Sequence, residues 1–347
     1  MSNSYYAPTA YNSKQIPAQP PQVAPPKSFS FLDRATTIRL PWGNTKDIAP
    51  AAFVNLNPPQ HVREREEYWR QNPEPDPEDF HLCIDHERYR YASFSFRTLF
   101  WGYMAGCGKA FFLIFLPVTA IVFLVDQSYL KPGDSAWELT KDFFFSFGLY
   151  TTGVPLLCWI LGSFVLHFFP DWVSKPAAGP KWELNRRTGM VTLFQYQRRF
   201  PWSKAVRVGE RTAPFYEFDA YIDAIPDRQG LPFYYLLLVH RYQDLKVDID
   251  LLGGVRNSEE CMALWDMWQN FMDISQPLPD IPLWEEYRHL DPTTAEHDRR
   301  TGRPPRYWRD MDDKTYKTKL SELRKQVSSI NTRSRYNLMN QFVDYCY

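Results

Sequence analysis

LFWGYMAGCGKAFFLIFLPVTAIVFLV, residues Leu99–Val125, is the stretch on which the fold turns; its 27 residues carry one charge, Lys109. A second run of 27 residues, FFFSFGLYTTGVPLLCWILGSFVLHFF (Phe143–Phe169), contains no Asp, Glu, Lys or Arg. A helix needs ~20 apolar residues to cross a bilayer core. Both runs exceed that length, so the sequence predicts a transmembrane helical hairpin over 98–170. A buried helix of a soluble protein is the rival reading, and two such runs only 17 residues apart argue against it. Pro117 and Pro155 lie inside the runs, where proline kinks a spanning helix without ending it.

Charge sets the direction of the hairpin. Arg88, Arg90 and Arg97 precede it, and Lys175, Lys181, Arg186 and Arg187 follow it. The connecting loop Asp126–Asp142 holds only Lys131 and Lys141 against four acids. The excess of basic residues outside the loop places both termini in the cytoplasm. Trp101, Tyr103, Trp159 and Trp172 lie towards the span ends as interfacial anchors do. Lys109 reads as a side chain that snorkels to the cytoplasmic side, or that marks the start of the core at Ala110. Gly102-x3-Gly106 has the spacing that lets two helices approach, which leaves a homo-oligomer open.

The chain as a whole has 347 residues, forty basic and forty acidic, and a mean hydropathy of −0.46. Zero formal charge argues against a nucleic-acid partner. Twenty-nine prolines against 15 glycines exclude a coiled-coil rod. Five scattered cysteines form no CxxC pair, which points to free thiols in a reducing compartment.

Residues 1–27 hold six prolines among Ser, Asn, Gln and Ala and are expected to be a disordered tail. Residues 28–97 form an N-terminal cytoplasmic segment. In it, Phe29, Phe31 and Leu32 precede a charged helix around Val62–Arg70, an acidic Pro-interrupted loop and a strand-like stretch HLCIDHERYRYASFSF. Residues 181–275 read as a β domain. Strands are expected at Lys181–Arg186, Met190–Phe194, Ala205–Val208, Phe215–Ile225, Phe233–Tyr242 and Leu245–Leu251, with a turn at Arg187–Gly189. An amphipathic helix then starts at an Asn257–Glu260 capping box and carries Cys261, Leu264, Trp265, Trp268, Phe271 and Met272 on one face. Antiparallel strands closed by such a helix look like a pleckstrin-homology-like (PH-like) β-barrel. Residues 276–347 form a Pro/Arg-rich extension followed by a helix over 316–345.

No GxSxG, HExxH, P-loop, GxGxxG or EF-hand signature is present, and the sequence predicts no enzyme and no cofactor. His81, Cys83 and His86 are spaced H-x-C-x2-H, but a strand puts His86 on the face opposite the other two, so no metal is expected. Glu285, Glu286, His289, Asp291, His297 and Asp298 have the composition of acid–base chemistry. The arginines around them make salt bridging the simpler use. Arg299, Arg300, Arg303, Arg306, Trp308 and Arg309 are therefore read as a docking strip for a partner or for lipid, with Lys109 as the candidate in the span. Between Arg288 and Arg335, 13 basic residues face 7 acidic ones, a surplus suited to an anionic surface.

Leu278–Pro282, Asp291–Thr294, Gly302–Met311 and the Trp182–Arg186 strand, taken with the hairpin, resemble a family of bacterial two-span membrane proteins often encoded near type VI secretion effectors. The resemblance covers about residues 50–315 and carries no catalytic residue. It implies a protein of the bacterial inner membrane, either an immunity protein that neutralises a cognate toxin or an effector-associated partner. The alternative is a lipid-sensing or scaffold protein. The expected fold class is an α+β membrane protein: a transmembrane hairpin plus a cytoplasmic PH-like domain.

Overall fold

The computed structural model describes residues 5–26, 37–55, 57–71, 83–92, 95–128, 135–173, 179–197, 205–226, 230–249, 255 and 257–346. The expected features at Phe29–Leu32, the acidic loop over 72–80 and His81 lie outside these. The chain divides into two compact units, Ala92–Gly179 and a second formed by Met1–Tyr91 with Pro180–Tyr347. Its elements are α+β.

The inserted unit is a pair of long apolar rods. The first is one α-helix, α3, Phe96–Ser128. The second runs as α4 (Ala136–Phe143), a π-helical stretch Phe144–Gly153 and α5 (Val154–Phe168), followed by the short α6 (Pro170–Val173). Pro155 explains the change of winding. Proline has no N–H to give to the preceding turn. Here the Val154 N–H reaches Leu149 and Pro155 opens a new α segment, in the first turn, where its missing donor costs little. The hydroxyls of Ser146, Thr151 and Thr152 donate to the carbonyls of Asp142, Phe147 and Gly148, one turn earlier in the same rod.

Small residues let the rods touch. A Cβ added at Gly108 would lie 2.6 Å from the Trp159 nitrogen, and one at Gly162 would lie 2.5 Å from the Ala105 nitrogen. The close approach therefore uses Gly108 and Gly162, while Gly102 and Gly106 face open space. Thr119 and Thr151 share a hydroxyl–hydroxyl bond of 2.9 Å between the rods. Both rods extend into the region expected to be loop, to Ser128 and from Ala136.

In the larger unit, β1 (Ile38–Leu40), β7 (Phe218–Pro226), β8 (Pro232–His240) and β9 (Lys246–Ile249) form one antiparallel sheet in the order β1-β7-β8-β9. The other sheet is β2 (Cys83–Ile84), β3 (Arg88–Tyr91), β4 (Trp182–Asn185), β5 (Met190–Gln197) and β6 (Val206–Pro214), in sequence order. Neither closes into a barrel among the described residues, which corrects the barrel expectation. The 181–275 stretch is also no separate domain, because β1, β2 and β3 come from before the hairpin. Tyr91 pairs with Trp182, and the Lys181 N–H donates to the Tyr91 carbonyl at 2.7 Å. The hairpin is thus an insertion between two adjacent strands. At the β4–β5 turn Gly189 has φ +72°, and a Cβ there would meet the Thr9 carbonyl oxygen at 2.3 Å.

Two short helices, α1 (Ala51–Asn55) and α2 (Pro59–Gln71), precede β2. The helix α7 (Ser258–Met272) is the centre of the core. All twelve residues from Cys261 to Met272 are buried, which replaces the expected one-faced amphipathic helix. Its polar residues are clasped by backbone. Gln269 accepts from the Gly43 N–H at 2.8 Å, Asp266 from the Lys46 N–H at 3.1 Å, and Asn270 donates to the Lys46 carbonyl at 2.8 Å. Asn257 makes no side-chain cap bond, and Glu260 instead accepts from the Ala51 N–H.

Both chain ends depart from expectation. Residues 5–26 are ordered against the fold. Tyr11 is 2 % exposed and packs edge-on against Trp42 and Phe215, with centroids 5.5 Å from each. The Ile274 N–H donates to the Tyr11 carbonyl, and those of Gln19 and Gln22 donate to Phe342 and Asp344. Three tyrosines and Ile16 give this proline-rich segment the apolar mass to offset its chain entropy. The expected helix over 316–345 stops at Ser328 as part of α9 (Asp313–Ser328). Asn331 and Asn337 then accept from the N–H groups of Ser334 and Met339, local bonds that compete with continued helix.

Tyr11→Ala is expected to destabilise the chain by about 3 kcal/mol, read as a lowered urea midpoint by tryptophan fluorescence. Gly162→Leu is expected to part the rods. With the native cysteines replaced by alanine, a Thr119→Cys/Thr151→Cys pair should crosslink readily, and lose most of that yield when Gly162→Leu is added.

Candidate functional site

The helix α8 (Pro292–Thr301) delivers the arginine strip. Asp291 caps it by accepting from the Thr294 N–H, and Gly302 ends it with φ 68°. The strip then turns inward. Arg303 pairs with Asp280 at 2.7 Å and lies 3.5 Å from Glu285. Trp308 is buried; its backbone N–H donates to Glu285 at 2.6 Å and its indole N–H to Asp280 at 2.9 Å. Arg309 reaches Glu66 on α2 at 2.9 Å, and Arg306 reaches Glu66 at 3.0 Å and Asp310 at 3.1 Å. Arg299 is exposed and pairs with Glu296 on its own helix at 2.7 Å. Arg300 is exposed, and no ion pair is formed by it among the described residues.

So Arg303, Trp308 and Arg309 turn into the protein and the docking strip is corrected there to an ion network, whereas Arg306 is paired at the surface and Arg299 and Arg300 stay exposed. Burial alone would raise the Asp280 carboxyl. The Arg303 and Arg288 guanidinium groups and the Trp308 indole outweigh it and hold Asp280 below the usual carboxylate range. Glu285 goes the other way: burial raises it despite the amide and arginine contacts.

Two deeper nodes were not foreseen from the sequence. Arg186, wholly buried, donates from Nε to Asp291 Oδ1 at 3.0 Å and from Nη2 to the Gln276 carbonyl at 2.7 Å. Its Nη1 serves the carbonyls of Phe271 and Asp273 at the end of α7. Tyr6 and Thr294 hydroxyls complete the Asp291 shell. Arg241 grips Asp219 through Nε and Nη2 at 2.9 and 2.8 Å, and Trp42 and Tyr345 donate to the same carboxylate at 3.1 and 3.0 Å. A cation at the C-terminal end of a helix is well placed, but Arg186 is remote in sequence from the end of α7 and nothing local announced it.

The carboxylates of the acid–base cluster are drawn to other partners by these bonds, although His297 Nδ1 stays 3.4 Å from Asp298 Oδ1. Asp291 belongs to Arg186, Asp298 to Arg288 at 2.7 Å, and Glu285 to two backbone amides. No three His, Cys, Asp or Glu among the described residues are grouped to hold a metal ion. The Cys83 thiol is pushed up to about 12 by burial and by Asp85, so it is a thiol near neutrality.

In the hairpin, Lys109 is exposed on α3, its ammonium 5.7 Å from the centre of the Trp159 ring. No carboxylate forms an ion pair with it among the described residues. An indole face contributes about 0.5–2 kcal/mol to a cation, less than the ~2.5–3.5 kcal/mol that a lysine costs at mid-span. Nearer the start of α3, Arg97 stacks on Trp172 at 4.3 Å and donates to its carbonyl.

No protein-family model matches the chain, and no curated protein or solved structure matches it.

Asp291→Asn leaves Arg186 charged and uncompensated, and is expected to destabilise the protein by about 3–5 kcal/mol. Burial pushes the Asp291 carboxyl upward, but Arg186, Thr294 and Tyr6 hold it below the usual value. A depressed carboxyl stabilises fully above its unfolded pKa of about 3.9 and loses that contribution as pH falls through the folded value. The stability gap between parent and variant should therefore be constant from pH 7 to about 5, and close below about 4, in urea titrations.

Proposed function

We propose that this chain is a non-enzymatic membrane protein that acts by binding. The observation that carries the reading is the β3–β4 pair. Two helices long and apolar enough to cross a bilayer, each with little of its surface covered, leave the sheet at Tyr91 and return at Trp182. Strands hydrogen-bonded to each other lie on one side of a membrane, so an insertion between them must cross an even number of times. A two-span hairpin satisfies this. The basic flanks favour the cytoplasmic side for the whole larger unit, and hence for both termini, and the sequence resemblance favours a bacterial inner membrane.

Within that reading the preferred partner is a cognate toxin of type VI secretion, held in a neutralised complex. The sequence resemblance supports it. The second reading is lipid sensing or scaffolding. It draws on α9, where Lys314, Lys317 and Lys325 line a surface groove with Thr318 and Ser321 and outnumber its two acids, Asp313 and Glu322.

If the anchor is right, the full chain should resist alkaline carbonate washing, and a reporter fused after Tyr347 should stay on the cytoplasmic side. Release by carbonate would reject it. Deletion should sensitise recipient cells only when the matching effector is delivered, and equal survival rejects the immunity role. Flotation with anionic against neutral vesicles tests the second reading. It needs the full chain, since a 181–347 fragment lacks β1, β2 and β3.

A further inference from the structure

On the anchored reading, Lys109 lies eight residues beyond Trp101 on α3, a rise of about 12 Å. Its level is set by the residues between it and the base. Arg97, Trp101 and Trp172 gather at the base of the rods, with the two indoles 6.5 Å apart and Arg97 stacked on Trp172. Such a cluster marks the headgroup level. Lys109 is twelve residues beyond Arg97 on one continuous helix, a rise of about 18 Å. Between the two levels the rods expose Leu99, Phe100, Leu161, Phe164 and Phe168. A core beginning at Ala110 would leave all five in water. On this placement the ammonium sits in the hydrocarbon region, with the Trp159 ring of the second rod 5.7 Å away on one side and its other side open.

The surface around it is shaped for another helix. Gly102, Gly106, Lys109 and Leu113 recur at i, i+4, i+7 and i+11, on one face. Nothing lies within 4 Å of a Cβ built at Gly102 or Gly106. The contact between the rods uses a different face, that of Ala105 and Gly108. Open glycines permit close backbone approach, and the charge one turn away selects what approaches.

Resting on the anchored reading, we infer that this face docks a transmembrane helix of another protein, one that carries an Asp or Glu at the depth of Lys109. A second copy of this chain does not fit. It would share the orientation and bring its own Lys109 to the same level, lysine against lysine. The chain's own hairpin has no carboxylate at that level either, since α3 reaches its first acid only at Asp126 and the second rod has none from Phe143 to Pro170.

The test uses the full chain reconstituted in vesicles, with a fluorescently labelled polyleucine transmembrane peptide bearing one central Asp as the probe and the all-leucine peptide as its control. Energy transfer from the labelled chain should show about tenfold tighter association with the Asp peptide. Lys109→Met should abolish that preference, Lys109→Arg should keep it, and Gly106→Leu should weaken association. Equal binding of the two peptides, or a preference that survives Lys109→Met, would overturn the inference. So would self-association of the chain that depends on Lys109. Carbonate resistance of the same vesicles separates the two claims. A chain that does not insert sinks the anchor and this inference with it, whereas an inserted chain without acid preference sinks the inference alone.

Discussion

Four antiparallel residue pairs, from Arg88 with Asn185 to Tyr91 with Trp182, hold the two ends of a long excursion side by side. The rest of the architecture depends on this short ladder. It joins residues before and after the rods into one sheet. It also positions Tyr89, whose ring stacks 6.0 Å from Trp182 and meets Trp268 and Phe271 of α7 at 6.0 Å. The core is therefore assembled across the insertion, and neither flank holds enough of it to stand alone.

Charge is used in the same integrating way. Arg186 ties β4 and the turn after it to the end of α7 and the start of α8. Arg241 ties the β8 end to Trp42 and to Tyr345 near the far end of the chain. Asp280, Glu285 and Glu66 gather the arginines that follow α8. A buried pair of this kind is weak support against an apolar alternative, yet it is costly to break. Its effect is to fix which segment lies against which, a need that is acute where prolines leave long stretches without regular hydrogen bonding.

The hairpin was legible because its signal is local: two runs almost without charge. The strands and α7 were legible from period and turn residues, although several strands extend further than expected. What escaped was everything decided by distant partners. Asp266, Gln269 and Asn270 look like a solvent face in a helical wheel, and the backbone at Gly43 and Lys46, with the Arg335 guanidinium on Asp266, shows otherwise. Arg303 and Arg309 look like free charge because Asp280 and Glu66 are remote in sequence. Trp308 between them was the clue, since an indole so placed gains most by turning inward and takes its neighbours along. Tyr5, Tyr6 and Tyr11 were hidden in the same manner by the prolines around them.

The split sheet also sets a timetable for synthesis. A ribosome adding about 5–20 residues per second makes β3 and then needs roughly 4–18 s to produce the 88 residues of Ala92–Gly179 before β4 follows. Throughout that interval β3 has an open edge, and Tyr89 has neither Trp182 nor Trp268 to cover it. The nascent chain must be shielded in this state, so production of the protein should be unusually sensitive to holding chaperones and to the pace at which the rods are accepted by their surroundings.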